Sequence, residues 1–143
     1  MATVRTARTN WSGNLAEGSG IVHFASSGRP DADVTWAARS QDANGKTSPE
    51  ELIAAAHSSC FSMALSAGLT KAGTPPQSLQ TSASVTFDPA AGGITGIALT
   101  VRGTVAGISA EDFVAAANEA KAGCPVSKAL AGVDNITLDA SLA

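Results

Sequence analysis

The chain has 143 residues, with 44% hydrophobic and 15% charged residues and a net charge of −3. That length is one domain's worth, 1–143, with room for a real core, and the hydrophobic share excludes a disordered chain. No basic cluster supports nucleic-acid or membrane-surface binding, and so little charge on a small domain points to surface covered in an oligomer.

Met1-Ala2-Thr3-Val4-Arg5 contains no apolar secretory core, so a cytoplasmic location is expected. Residues 4–15 carry Thr, Val and Trp11 and end near Gly13-Asn14, a turn signal. Residues 21–24 follow Gly18-Ser19-Gly20, and the two runs read as a hairpin. After a loop at 26–31, residues 33–39 read as a third short strand, and 41–46 as another loop.

Ser48 then offers an N-cap and Pro49 a first helical residue without an N–H to satisfy. Glu50 and Glu51 complement the positive end of the dipole. From Leu52 to Ala67 the side chains are apolar or small apart from His57 and the serines, which describes a buried central helix. The serines and His57 interrupt this run, and it is not read as a membrane span. Lys71, Gly73 and Pro75-Pro76 stop it after about twenty residues.

Residues 78–87 and 94–105 alternate in polarity around a turn at 88–93 and form a second hairpin. Ser109 and Asp112 make a loose capping box for a helix that ends at Gly123. Cys124-Pro125 turns into a short helix, and residues 133–140 close the chain as a strand. The order predicts an α+β fold with mostly antiparallel pairing and helices on one face.

Two cysteines, Cys60 and Cys124, stand far apart and outside any CxxC pattern, so neither a zinc site nor a thioredoxin motif is indicated. Cys60 in mid-helix reads as an inert core residue unless a cation depresses its pKa; Arg39, His57 and Lys128 are the candidates. His57, three residues earlier, either pairs with Cys60 or is a buried histidine bonded to backbone or to another side chain. Cys124, beside Pro125, is either structural or a thiol eased by nearby N–H groups. One thiol on a rigid helix and one on a turn would suit an attacking and a resolving cysteine.

Residues 48–65, SPEELIAAAHSSCFSMAL, followed by Ala120-Lys121-Ala122-Gly123-Cys124-Pro125-Val126-Ser127, resemble the OsmC/Ohr family of thiol peroxidases, nearer its OsmC branch. The resemblance extends over essentially the whole chain. It implies an intertwined homodimer with active sites at the subunit interface and an organic hydroperoxide as substrate. It implies a dithiol reductant such as a lipoyl protein, and no metal, haem or other cofactor. It gives Cys60 the peroxidatic role, Cys124 the resolving role, and Arg39 with Glu50 the charged pair of the site.

Thiolate attack on a peroxide needs an ionised sulfur and a stabilised leaving alkoxide, and one guanidinium serves both. A buried arginine needs a partner, and Glu50 can be it. Glu50 lies ten residues before Cys60 on the same helix, about 15 Å along its axis. Glu50 and Arg39 are therefore expected to approach Cys60 of the other subunit. Apolar Phe61, Met63, Leu65, Phe113 and Val126 would favour an alkyl hydroperoxide. The competing readings are a non-catalytic dimer of this fold that binds an apolar ligand, and a cysteine hydrolase using Cys60 and His57.

Overall fold

The computed structural model describes residues 1–143. They form two compact units, Met1–Leu52 and Ile53–Ala143.

In the first unit, β1 (Arg8–Ser12), β2 (Ser19–His23) and β3 (Ala32–Val34) make an antiparallel sheet in that order. Arg8 faces His23 across the first pair and Gly20 faces Val34 across the second. Gly20 is required by its neighbours: a Cβ there would lie 2.9 Å from both the Trp11 ring and a Val34 methyl. The third strand stops earlier than its β-branched residues indicate, because Trp36–Ser40 is a short helix, α1. Thr35 caps it, its hydroxyl accepting the Ala38 N–H at 3.1 Å. Ala37, Ala38 and Arg39 then follow as good helix formers.

The long helix α2 runs Pro49–Lys71. Ser48 Oγ accepts the Glu51 N–H at 3.1 Å, as its N-cap position requires. At the other end Gly73 adopts φ 90°. Gly73 N–H bonds Thr70 C=O and Thr74 N–H bonds Leu69 C=O, the paired bonds of a Schellman motif. By length and composition α2 would also suffice to cross a membrane. Its stripe Phe61, Leu65 and Leu69, however, is seated in a protein core.

That core belongs to the second unit. Here β4 (Ser78–Asp88) and β5 (Gly93–Thr104) form the expected antiparallel hairpin. Asp88 Oδ1 accepts the Ala90 and Ala91 N–H groups in the turn. Helices α3 (Ala110–Gly123) and α4 (Pro125–Ala129) follow. Ser109 caps α3 by accepting the Asp112 N–H. β6 (Ile136–Leu142) begins three residues later than expected and lies parallel to β5, Leu99 facing Leu138. The crossover through α3 and α4 allows this one parallel pair beside an otherwise antiparallel framework.

Leu99 and Val101 of β5 meet Phe61, Leu65 and Leu69 of α2 and Phe113, Ala117 and Ala120 of α3, with Cys124 at the edge of the cluster. In the single chain the buried residues of α2 are Phe61, Leu65 and Leu69 together with Glu50 and His57. Ala56, Ser59, Met63 and Ala67, spaced to share another stripe, are exposed, so the helix is not covered on all sides.

Candidate active site

The second unit brings the two cysteines together. Cys60 sits in the middle of α2, and Cys124 is both the C-cap of α3 and the residue before Pro125 of α4. Their sulfurs are 3.0 Å apart and both thiols are free. Cys124 has no solvent exposure, whereas Cys60 is half-buried. The chain bends at Cys124 because α3 closes there with its N–H on Ala120 C=O, and Pro125 can only start a new helix.

The two thiols differ in acidity. Burial pushes the Cys60 thiol up, and its hydrogen bond with Cys124 pushes the same way, against the Val126 N–H. Burial would also raise Cys124. Hydrogen bonds from Cys60, from the peptide and hydroxyl of Ser127, and from the Val126 peptide outweigh it and bring Cys124 below the ordinary thiol range. The surroundings thus push the two neighbouring thiols in opposite directions, Cys60 up and Cys124 down.

His57 does not pair with Cys60. It is fully buried, its Nε2 lies 2.6 Å from Ser127 Oγ, and burial lowers its pKa. The reading as a histidine bonded to another side chain is the one the coordinates bear out. Ser127 was not singled out in the sequence. The available signal was symmetry of spacing: His57 stands three residues before Cys60, and Ser127 three after Cys124.

In the first unit Arg39 of α1 and Glu50 of α2 form the expected ion pair. Arg39 Nε lies 3.0 and 3.2 Å from the two Glu50 carboxylate oxygens, and Nη2 lies 2.8 Å from Oε1. This two-pronged contact fixes the guanidinium plane. Glu50 is 7% exposed, so the pair also answers the cost of burying a carboxylate. Of the apolar residues expected around the site, Phe61, Leu65 and Phe113 are wholly core, while Met63 is exposed and Val126 half-buried.

The OsmC-like protein family model matches residues 41–139, a span containing both cysteines, His57 and Glu50 but not Arg39. The chain belongs to the OsmC family. Peroxiredoxin OsmC of Escherichia coli (strain K12) is 41% identical to this OsmC-family chain over 144 residues, covering 99% of each. The organic hydroperoxide resistance protein OhrB of Bacillus subtilis is similar in structure at 27% identity. Its TM-score is 0.61, over 96% of this chain and 98% of that one. An OsmC-like protein from Mycoplasma pneumoniae superposes with a TM-score of 0.74 over 99% of each chain at 15% identity, which shows the shared fold.

Proposed function

We propose that this OsmC-family chain is a cysteine-based peroxidase that reduces organic hydroperoxides to alcohols. The observation that carries the reading is the approach of two free sulfurs, one half-exposed and one buried, to 3.0 Å. The names of the relatives point to the same chemistry.

Cys60 is the peroxidatic residue. Its thiolate attacks the outer oxygen of the hydroperoxide, the O–O bond breaks, and the alkoxide leaves to be protonated as alcohol. Cys60 is then a sulfenic acid. Cys124 attacks that sulfur, the S–O bond breaks, and a disulfide forms with loss of water. An external dithiol, of the lipoyl type, reduces the disulfide by exchange and returns both thiols.

Because Cys60 is held above the ordinary thiol range by burial and Cys124, a cation must be supplied for the first step. We assign this role to the Arg39–Glu50 pair of a second copy. The same guanidinium would stabilise the departing alkoxide. Ten residues of unbroken helix separate Glu50 from Cys60, a rise of about 15 Å that favours a partner in trans. The working form is then a homodimer. The chain acts as one OsmC-like domain, 1–143, in the cytoplasm, a reducing compartment that suits two adjacent free thiols.

Iodoacetamide labelling before and after cumene hydroperoxide tests the proposal. Both thiols should be lost on treatment. Cys60→Ser should abolish turnover, and Cys124→Ser should leave a trappable sulfenic acid. Two thiols that survive the peroxide would instead mark a binding protein, and a chain that keeps Cys124 and is indifferent to peroxide a hydrolase.

A further inference from the structure

His57 has no place in the cycle above, yet it is the most deeply buried polar residue of the second unit. It is fully buried, and its Nδ1 has no hydrogen-bond partner. Its other nitrogen is spent on Ser127, itself 9% exposed and three residues beyond Cys124 at the start of α4, where its hydroxyl lowers the Cys124 pKa.

The two neutral tautomers differ in what they leave unpaired. If Nδ1 carried the hydrogen, a buried N–H donor would go unanswered, which native proteins rarely tolerate. With the hydrogen on Nε2, it is used on Ser127 Oγ and only a lone pair is left over. Ser127 then accepts from His57. Its hydroxyl has one hydrogen of its own, and Cys124 is the thiol whose pKa that hydroxyl lowers.

We propose that His57 is a positioning residue for the resolving step. Its Nε2–H fixes the Ser127 hydroxyl so that this hydroxyl donates to Cys124 Sγ and holds the resolving sulfur as a thiolate aimed at Cys60. The inference rests on the peroxidase reading. In the step concerned the Cys124 thiolate and the Cys60 sulfenic acid form an S–S bond. The S–O bond breaks, and the departing hydroxide takes up one proton to leave as water. The pre-formed thiolate matters because it is the attacking species, and the thiolate fraction sets the rate. Groups acting on Cys124 are Cys60 from α2, and from α4 the Ser127 hydroxyl and the peptide N–H groups of Ser127 and Val126. Beyond Ser127 an open cavity of about 340 Å³ carries Lys121, Lys128 and Asp134.

Rapid-mixing measurements should follow alcohol release and disulfide formation separately across pH. Ser127→Ala and His57→Phe should leave alcohol release near wild type. Disulfide formation should slow about tenfold at neutral pH, its midpoint moving up toward that of an ordinary thiol. His57→Gln, which keeps an N–H near the position of Nε2, should restore most of the rate. Should His57→Phe not fold, Ser127→Ala carries the test alone. Thiolate absorbance of Cys60→Ser, with and without Ser127→Ala, gives a second readout: the Cys124 pKa should rise when the hydroxyl is removed. Wild-type resolution in the variants, or slower resolution with an unmoved midpoint, would overturn the proposal. Absence of alcohol release from the wild type would instead overturn the peroxidase reading.

Discussion

A histidine with no solvent contact and one unanswered ring nitrogen gains a proton only at a cost to the fold. Burial lowers the proton affinity of His57 in the folded chain, while the unfolded chain binds a proton at about pH 6.5. Above that value both states are neutral there and the residue adds no slope. As pH falls through it, the unfolded state takes up a proton that the folded state refuses, so stability is lost until the folded pKa is reached. Urea midpoints should therefore fall more steeply from about pH 7.5 to about pH 5.5 in the wild type than in His57→Gln. The exposed pair of His23 and Asp31 is common to both proteins and cancels in the comparison. Equal slopes would mean that His57 is protonated inside the fold, and the donor chain from Nε2 through Ser127 would need redrawing.

At the level of elements, the packing of β5 against α3 depends on a missing side chain. A Cβ on Gly103 would stand 2.6 and 2.7 Å from two Phe113 ring atoms and 3.2 Å from a Leu79 methyl. Phe113 is fully buried and cannot swing away. Gly103→Ala should cost about 1–3 kcal/mol by overpacking, and each kcal/mol lowers the melting temperature by about 2–4 °C in a chain of this size. Gly93→Ala, with nothing within 4 Å of its new methyl, is the control and should melt near wild type. If the two variants melt together, Phe113 does not lean on the strand as described. The hairpin of β4 and β5 and both ends of α2 were legible in the sequence because their determinants are local: alternation, the Ser48 hydroxyl, the glycine at 73. The stretch Trp36–Ser40 was not. Val34, Thr35 and Trp36 favour a strand, and a helix of five residues shows no period to contradict them. The direction of β6 was illegible for the opposite reason, since its partner lies a whole crossover away. In the site, the cysteines stood out by type and context. Ser127 did not, because a serine near a helix start ordinarily faces water, and only its placement against His57 of α2 buries it.

At the scale of the whole molecule, two observations fit the dimer proposed above. The stripe of α2 formed by Ala56, Ser59, Met63 and Ala67 is exposed, with Met63 at 72%. Small residues there would let a second backbone come close, which suits a helix meant to be covered. Cys60, meanwhile, is pushed up by burial and by Cys124, against a peptide N–H, where the proposed role calls for a lowered pKa. A two-fold dimer in which each copy lends Arg39 and Glu50 to the other's Cys60 would answer both. Mixing two inactive variants separates this arrangement from one confined to a single chain. Arg39→Ala retains Cys60, and Cys60→Ser retains Arg39. In a mixed dimer built in trans, one of the two sites receives an intact sulfur from the first chain and an intact guanidinium from the second. Equal mixing by joint refolding makes half the dimers mixed, so peroxidase activity should return to about a quarter of wild type. In a cis arrangement every site contains one defect, however the chains pair, and mixing returns nothing. An inactive mixture whose intact-dimer masses nonetheless show mixed dimers would place the arginine beside the cysteine of its own chain.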